Sequence, residues 1–130
     1  MCPAEGSLIR TIKGDRPIET LRAGEEICQL GNVGRLKCAP IQHHNQPLVR
    51  ITTASGLSVT VSEKHAFVLP TWGYVNAEDL LGGSWQRLKT EEQTGSLIRS
   101  AVRVGHGTVY ELVTCDGNKT YCVENFWSLE

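Results

Sequence analysis

The 130-residue sequence predicts an all-β domain with little helix, assembled from two similar halves. Three observations predict it. Apolar residues come in short β-rich runs, broken at close intervals by Gly, Pro, Asn and Asp. No stretch carries the long 3.6-residue apolar stripe of an amphipathic helix. Finally, two features recur at nearly the same distance along the chain. Ile18-Glu19-Thr20-Leu21-Arg22-Ala23-Gly24 resembles Ala77-Glu78-Asp79-Leu80-Leu81-Gly82-Gly83, 59 residues later. In both, Glu is followed two residues on by Leu and five on by Gly. The turn around Gly56 is matched by one around Gly117, 61 residues later. Against chance recurrence, the near-equal offsets favour halves of roughly residues 8–68 and 69–125. Neither half is large enough to bury a comfortable core alone, so the two are expected to share one about a pseudo-twofold axis.

The elements follow in order. Arg16 to Leu21 and Asn76 to Leu80 each suit a single helical turn. Val49-Arg50-Ile51-Thr52-Thr53 reads as a strand, Ala54-Ser55-Gly56 as a turn, and Leu57-Ser58-Val59-Thr60-Val61 as its half-buried partner in a hairpin. Lys89 to Ser96 is polar and reads as an exposed loop. Val109 to Thr114 and Thr120 to Val123 flank Asp116-Gly117, a strong short hairpin signal.

Composition narrows the function. With 13 Lys and Arg against 14 Asp and Glu, the net charge of −1 lacks the footprint of a general nucleic-acid binder. No apolar run is long enough for a membrane-spanning helix or a signal peptide, so neither a membrane partner nor a cellular location is indicated. The chain is expected to be one domain over residues 1–130 and a monomer. Its five cysteines are odd in number and include no C-x-x-C, which argues against a complete disulfide framework. Met1 reads as a start codon placed before Cys2, and Leu129-Glu130 as the first residues of a tag linker with little structural weight.

Two residues stand out as chemistry. Cys2 offers the most nucleophilic neutral side chain, followed by Pro3, which cannot donate to a β ladder. The bland alternative is a small buried hydrophobe. His65 closes Val61-Ser62-Glu63-Lys64-His65, so a hydroxyl and an imidazole three residues apart can converge on one peptide at the end of a strand. Ser62 would bond a carbonyl oxygen and His65 would protonate a peptide nitrogen; the alternative is a histidine satisfied inside a turn. His43-His44 reads as loop and His106, between two glycines, as turn. The Cys and His spacings do not suit a zinc site, and no cofactor motif is present. Cys115 and Cys122 flank the Asp116-Gly117 turn, and whether they pair stays open.

Taken together, these residues resemble the Hint domain, the autoprocessing module of hedgehog proteins, inteins and bacterial intein-like domains. Cys2-Pro3-Ala4-Glu5-Gly6-Ser7-Leu8-Ile9 with Ile18 to Glu25 is similar to the family's opening block. Val59 to Phe67 resembles its Thr-x-x-His block, with Ser62 where Thr is usual. Trp72 to Leu80 resembles the segment after it, and Val109 to Val113 with Tyr121 to Asn125 the last block. The resemblance implies a Hint-type horseshoe of two pseudo-symmetric halves, and catalytic roles for Cys2, Ser62, His65 and Glu111, the last where inteins often carry an assisting Asp. It departs at the end. Inteins close with His-Asn, whereas this chain reads Asn125-Phe126-Trp127-Ser128-Leu129-Glu130. Either a His-Asn follows Ser128 in the natural chain or the module lacks one.

The implied activity is an N-to-S acyl shift. Cys2 would attack the carbonyl before it and give a thioester that is cleaved or transferred, in a single self-processing turnover rather than repeated catalysis. The partners would be covalently attached flanking segments and a thiol, amine or water as acceptor. Two other functions stay open: a non-catalytic β-rich binding module, and a cysteine hydrolase acting in trans.

Overall fold

The computed structural model describes residues 2–71, 73–83 and 86–130. Met1 and Trp72 of the sequence reading lie outside the described residues. Among the described residues the chain forms β1 (Leu8–Thr11), β2 (Gly14–Pro17), β3 (Glu26–Cys28), β4 (Val33–Arg35), β5 (Ile41–Thr53) and β6 (Ser58–Ser62). The second half supplies β7 (Ala66–Val68), β8 (Tyr74–Asn76), β9 (Arg87–Leu88), β10 (Ser96–Glu111), β11 (Thr120–Val123) and β12 (Phe126–Leu129). Among the described residues, helix is confined to the single 3₁₀ turns Ile18–Thr20 and Ala77–Leu80, the two places where the sequence suggested one.

The repeat is visible in the backbone. The β1–β2 hairpin leads into the first 3₁₀ turn, and the β7–β8 hairpin into the second. Each turn is pinned back to the residue before its hairpin: Ile18 N–H donates to Ser7 O at 2.8 Å and Ala77 N–H to His65 O at 2.9 Å. Ala66–Val68 is thus the counterpart of β1. The second half opens there, between Ser62 and Ala66, earlier than the sequence reading placed it.

Two sheets result. One runs β4-β3-β1-β11-β12-β7-β8, with β2 paired to β1; the other runs β6-β5-β10-β9. The long antiparallel pair β5 and β10, 13 and 16 residues, exceeds the ordinary strand length. Register shifts interrupt it between Arg103 and His106 and between Gly107 and Val109, and such bulges bend a strand pair. Asn45 and Gly105 take up positive φ in this bent stretch, at 54° and 93°. The apolar faces of both halves meet in one core that includes Ile9, Ile27, Val61, Phe67, Leu80 and Phe126. The β5–β6 hairpin has the expected register, Ile51 opposite Val59, with Gly56 at φ 96° in its turn.

Other expectations are corrected. Asp116-Gly117 closes no hairpin, because β10 and β11 belong to different sheets and the segment between them is a crossover. Asp116 instead accepts from Asn32 Nδ2 at 3.0 Å and Thr114 Oγ1 at 3.1 Å, which ties the crossover to the β3–β4 turn. The tight hairpin lies one turn later. Glu124 and Asn125, at φ 47° and 72°, join β11 to β12 with Val123 opposite Phe126. Two positive-φ central residues fit the type I′ turn that matches strand twist. All five cysteines are free; Cys115 lies in the crossover, and Cys122 pairs with Trp127 in β11–β12. Leu129 and Glu130 carry structural weight after all: Leu129 is paired on both sides, with Thr120 and Ala66, and Glu130 N–H donates to Lys119 O at 2.8 Å. His43 and His44 belong to β5, and His106 sits opposite Pro47 in β10.

Candidate functional site

The start of the described chain is threaded between β6 and β10. Ala4 N–H donates to Thr60 O at 2.9 Å on one side, and Tyr110 N–H donates to Pro3 O at 2.9 Å on the other. Pro3 has no N–H to leave unsatisfied there, so its residue type suits a position that uses only the carbonyl. This threading brings Cys2 to the end of β6, where one residue holds both sides of its backbone. Cys2 N–H donates to Ser62 Oγ at 2.9 Å, and Ser62 N–H donates to Cys2 O at 2.8 Å.

A cleft of about 290 Å³ opens beside the thiol, lined by Cys2, Ser62, Glu111, His43 and Lys64 among others. Three of the four residues singled out in the sequence, Cys2, Ser62 and Glu111, therefore meet at one cleft. The fourth, His65, is joined to them through Ser62. Its N–H donates to Ser62 O at 3.0 Å, and its own carbonyl accepts from Ala77. The imidazole is fully buried, with its Nε2 2.8 Å from Ser128 Oγ and edge contacts to the rings of Phe67 (4.7 Å) and Tyr121 (6.2 Å). Backbone bonds on both sides and packing on the ring leave the side chain few alternative rotamers.

The electrostatics bear on the sulfur. Burial pushes the Cys2 thiol up to about 11, and the nearby Glu130 and Glu111 carboxylates add to the rise. Cys122 is likewise pushed up to about 11, first by burial. A rise from 9.0 to about 11 leaves roughly a hundredth of the ordinary thiolate at neutral pH. Iodoacetamide at pH 8 is therefore expected to alkylate exposed Cys115 to completion before Cys2 or Cys122 is labelled measurably, as read by peptide mass mapping. Early labelling of Cys2 would contradict the buried, protonated thiol.

Sequence reasoning missed residues around this cleft. His43, read as loop, stands on β5 opposite Val109 and places its Nε2 3.0 Å from Glu111 Oε1. Glu130, read as a tag residue, brings its Oε1 to 4.0 Å from Cys2 Sγ. Tyr121 and Ser128, on the paired strands β11 and β12, flank the imidazole. A signal existed only for Tyr121 and Ser128, whose alternation with Cys122 and Trp127 marks one face of a hairpin.

By sequence the chain matches no protein-family model and no curated protein. Its structure is similar to solved ones over nearly all its length. The crystal structure of the gp41-1 intein superposes with a TM-score of 0.85 at 15% identity, covering 99% of this chain and 98% of the other. A DnaB intein from Synechocystis sp. PCC 6803 gives 0.85 at 14% identity, covering 98% and 96%. The solution structure of a bacterial intein-like domain from Clostridium thermocellum gives 0.82 at 17% identity, covering 99% and 98%. Identities this low speak to fold, and by that measure the chain has the Hint fold of inteins and bacterial intein-like domains.

Proposed function

We propose that this chain is a self-processing domain that performs an N-to-S acyl shift at Cys2 on a protein segment attached upstream. The observation that supports this most is the double clamp of Ser62 on the Cys2 backbone, which holds the amide nitrogen of the bond to be broken while leaving the sulfur beside a cleft. In the step, a bond forms between Cys2 Sγ and the carbonyl carbon of the preceding residue, and the bond from that carbon to the Cys2 nitrogen breaks. The thiol proton leaves sulfur, and a proton is delivered to the departing nitrogen. Ser62 holds that nitrogen through its hydroxyl, His65 supplies its proton, and Glu111, paired with His43, completes the wall of the cleft.

A peptide is more stable than a thioester, so a following step must drain the product. The acceptor is a small nucleophile, thiol, amine or water, or a further attached segment. The inteins and intein-like domain of similar fold support this reading, since an intein is covalently attached to flanking protein segments. The test is a reporter protein fused upstream of Cys2 and incubated with dithiothreitol. The expected result is release of the reporter as its dithiothreitol thioester, seen by intact mass. An intact fusion after prolonged incubation at neutral to mildly alkaline pH would overturn the proposal.

A further inference from the structure

We infer that Glu130 is a catalytic residue that accepts the proton of the Cys2 thiol, an inference that rests on the acyl-shift reading above. Cys2 is buried and starts as a thiol, so sulfur must lose a proton before or while it attacks. The Cys2 S–H donates towards Glu130 Oε1 at 4.0 Å. Of the carboxylates that line the cleft beside Cys2, Glu111 is engaged at its Oε1 by His43 and Glu63 at its Oε2 by Arg103.

The surroundings of Glu130 are built rather than incidental. The strand pairing of Leu129 and the bond from Glu130 N–H to Lys119 O fix its backbone. Its side chain forms one wall of a second cleft, of about 450 Å³, together with Tyr121 and Glu111. Tyr121 is 1% exposed, yet its hydroxyl and Glu130 Oε2 make no hydrogen bond of ordinary geometry among the described residues. The hydroxyl is still near enough to act on the carboxylate. Burial raises Glu130 to about 8, and Tyr121 pulls the other way. Among the described residues, the other charged groups lining the clefts that Glu130 borders are Glu111 on β10, Lys119 and Asp116 on the crossover, and Lys64 before β7.

The step balances. The S–H bond of Cys2 breaks and an O–H bond forms on Glu130 Oε1. The electron pair left on sulfur makes the new S–C bond at the preceding carbonyl. Because only the ionised carboxylate can accept the proton, the rate should rise with pH up to about 8 and flatten above it.

The experiment is the upstream reporter fusion, released by saturating hydroxylamine from pH 6 to 10, in the unsubstituted chain, Glu130→Gln and Tyr121→Phe, with thermal unfolding of each. Supporting results are an inflection near pH 8 in the unsubstituted chain, its loss in Glu130→Gln, and release at least about tenfold slower in that variant at pH 8. Tyr121→Phe should move the inflection upward, which decides the matter if Glu130→Gln unfolds. An unchanged rate and profile in Glu130→Gln, a faster rate, or an inflection that vanishes in Glu111→Gln instead would overturn the assignment. No release from the unsubstituted fusion at any pH would overturn the acyl-shift reading itself.

Discussion

Cys2→Ala is expected to abolish thiol-induced release of an upstream reporter while leaving the fold in place. What fixes residue 2 in the structure is backbone: its N–H on Ser62 Oγ, its carbonyl on Ser62 N–H, and the Pro3 and Ala4 contacts to Tyr110 and Thr60. Alanine keeps all of these. It loses one buried sulfur, which approaches Glu130 Oε1 at 4.0 Å. The stability cost is that of a small buried group, about 1 kcal/mol. The chemical cost is total, because the sulfur that forms the S–C bond is gone. Cys2→Ser refines the test. It keeps a nucleophilic atom in place but one far weaker and far less ionised, so release should be slow rather than absent. Release at the original rate in Cys2→Ala, with an unfolding temperature within a few degrees of the parent, would mean that the fused bond breaks by another route.

The parts of this site that could be read from the sequence are those where local chemistry and the fold agree. Val59 and Val61 alternate with Ser58 and Thr60, and the strand they predict stops at Val61, which puts the Ser62 hydroxyl and His65 at a strand end; the observed strand runs one residue further, to Ser62. The Glu-x-Leu repeats give the two 3₁₀ turns, because each turn buries its apolar residues, Ile18 in one and Ala77 and Leu80 in the other. What stayed hidden depended on long-range pairing. Ile41 to Asn45 is exposed throughout, so no apolar alternation betrays it as strand; its partner Val109 to Glu111 makes it one. The Asp116-Gly117 signal lost to side-chain bonds from Asn32 and Thr114 that sequence spacing does not reveal. Glu124-Asn125 gave no hairpin signal, because neither residue is the glycine usual at positive φ. Glu130 was invisible for a related reason. Its importance comes from β12 pairing with β7 and β11, which carries the last residue of the chain back to the second.

His65→Ala is expected to slow release by about 10²–10⁴, the usual contribution of a positioned proton donor. A loss of that kind must be told apart from damage to the fold, since the imidazole is fully buried and packed on Phe67 and Tyr121. Ser128→Ala provides the separation. It removes the same 2.8 Å contact to Nε2 but leaves the imidazole between the same rings. Losing one buried hydrogen bond costs about 1–3 kcal/mol, so both variants should melt at lower temperature. If His65 supplies the proton to the departing nitrogen, only His65→Ala should lose orders of magnitude in rate; Ser128→Ala should stay within about tenfold, because its ring is less firmly held but still present. Parallel losses in the two variants, tracking their melting temperatures, would assign His65 a structural part alone. The distinction matters for the Hint fold generally. A residue whose backbone bridges Ser62 and Ala77 across the junction of the two halves would be kept for that reason even without chemistry. Rate and stability must therefore be measured on the same variants before the imidazole is counted as part of the reaction.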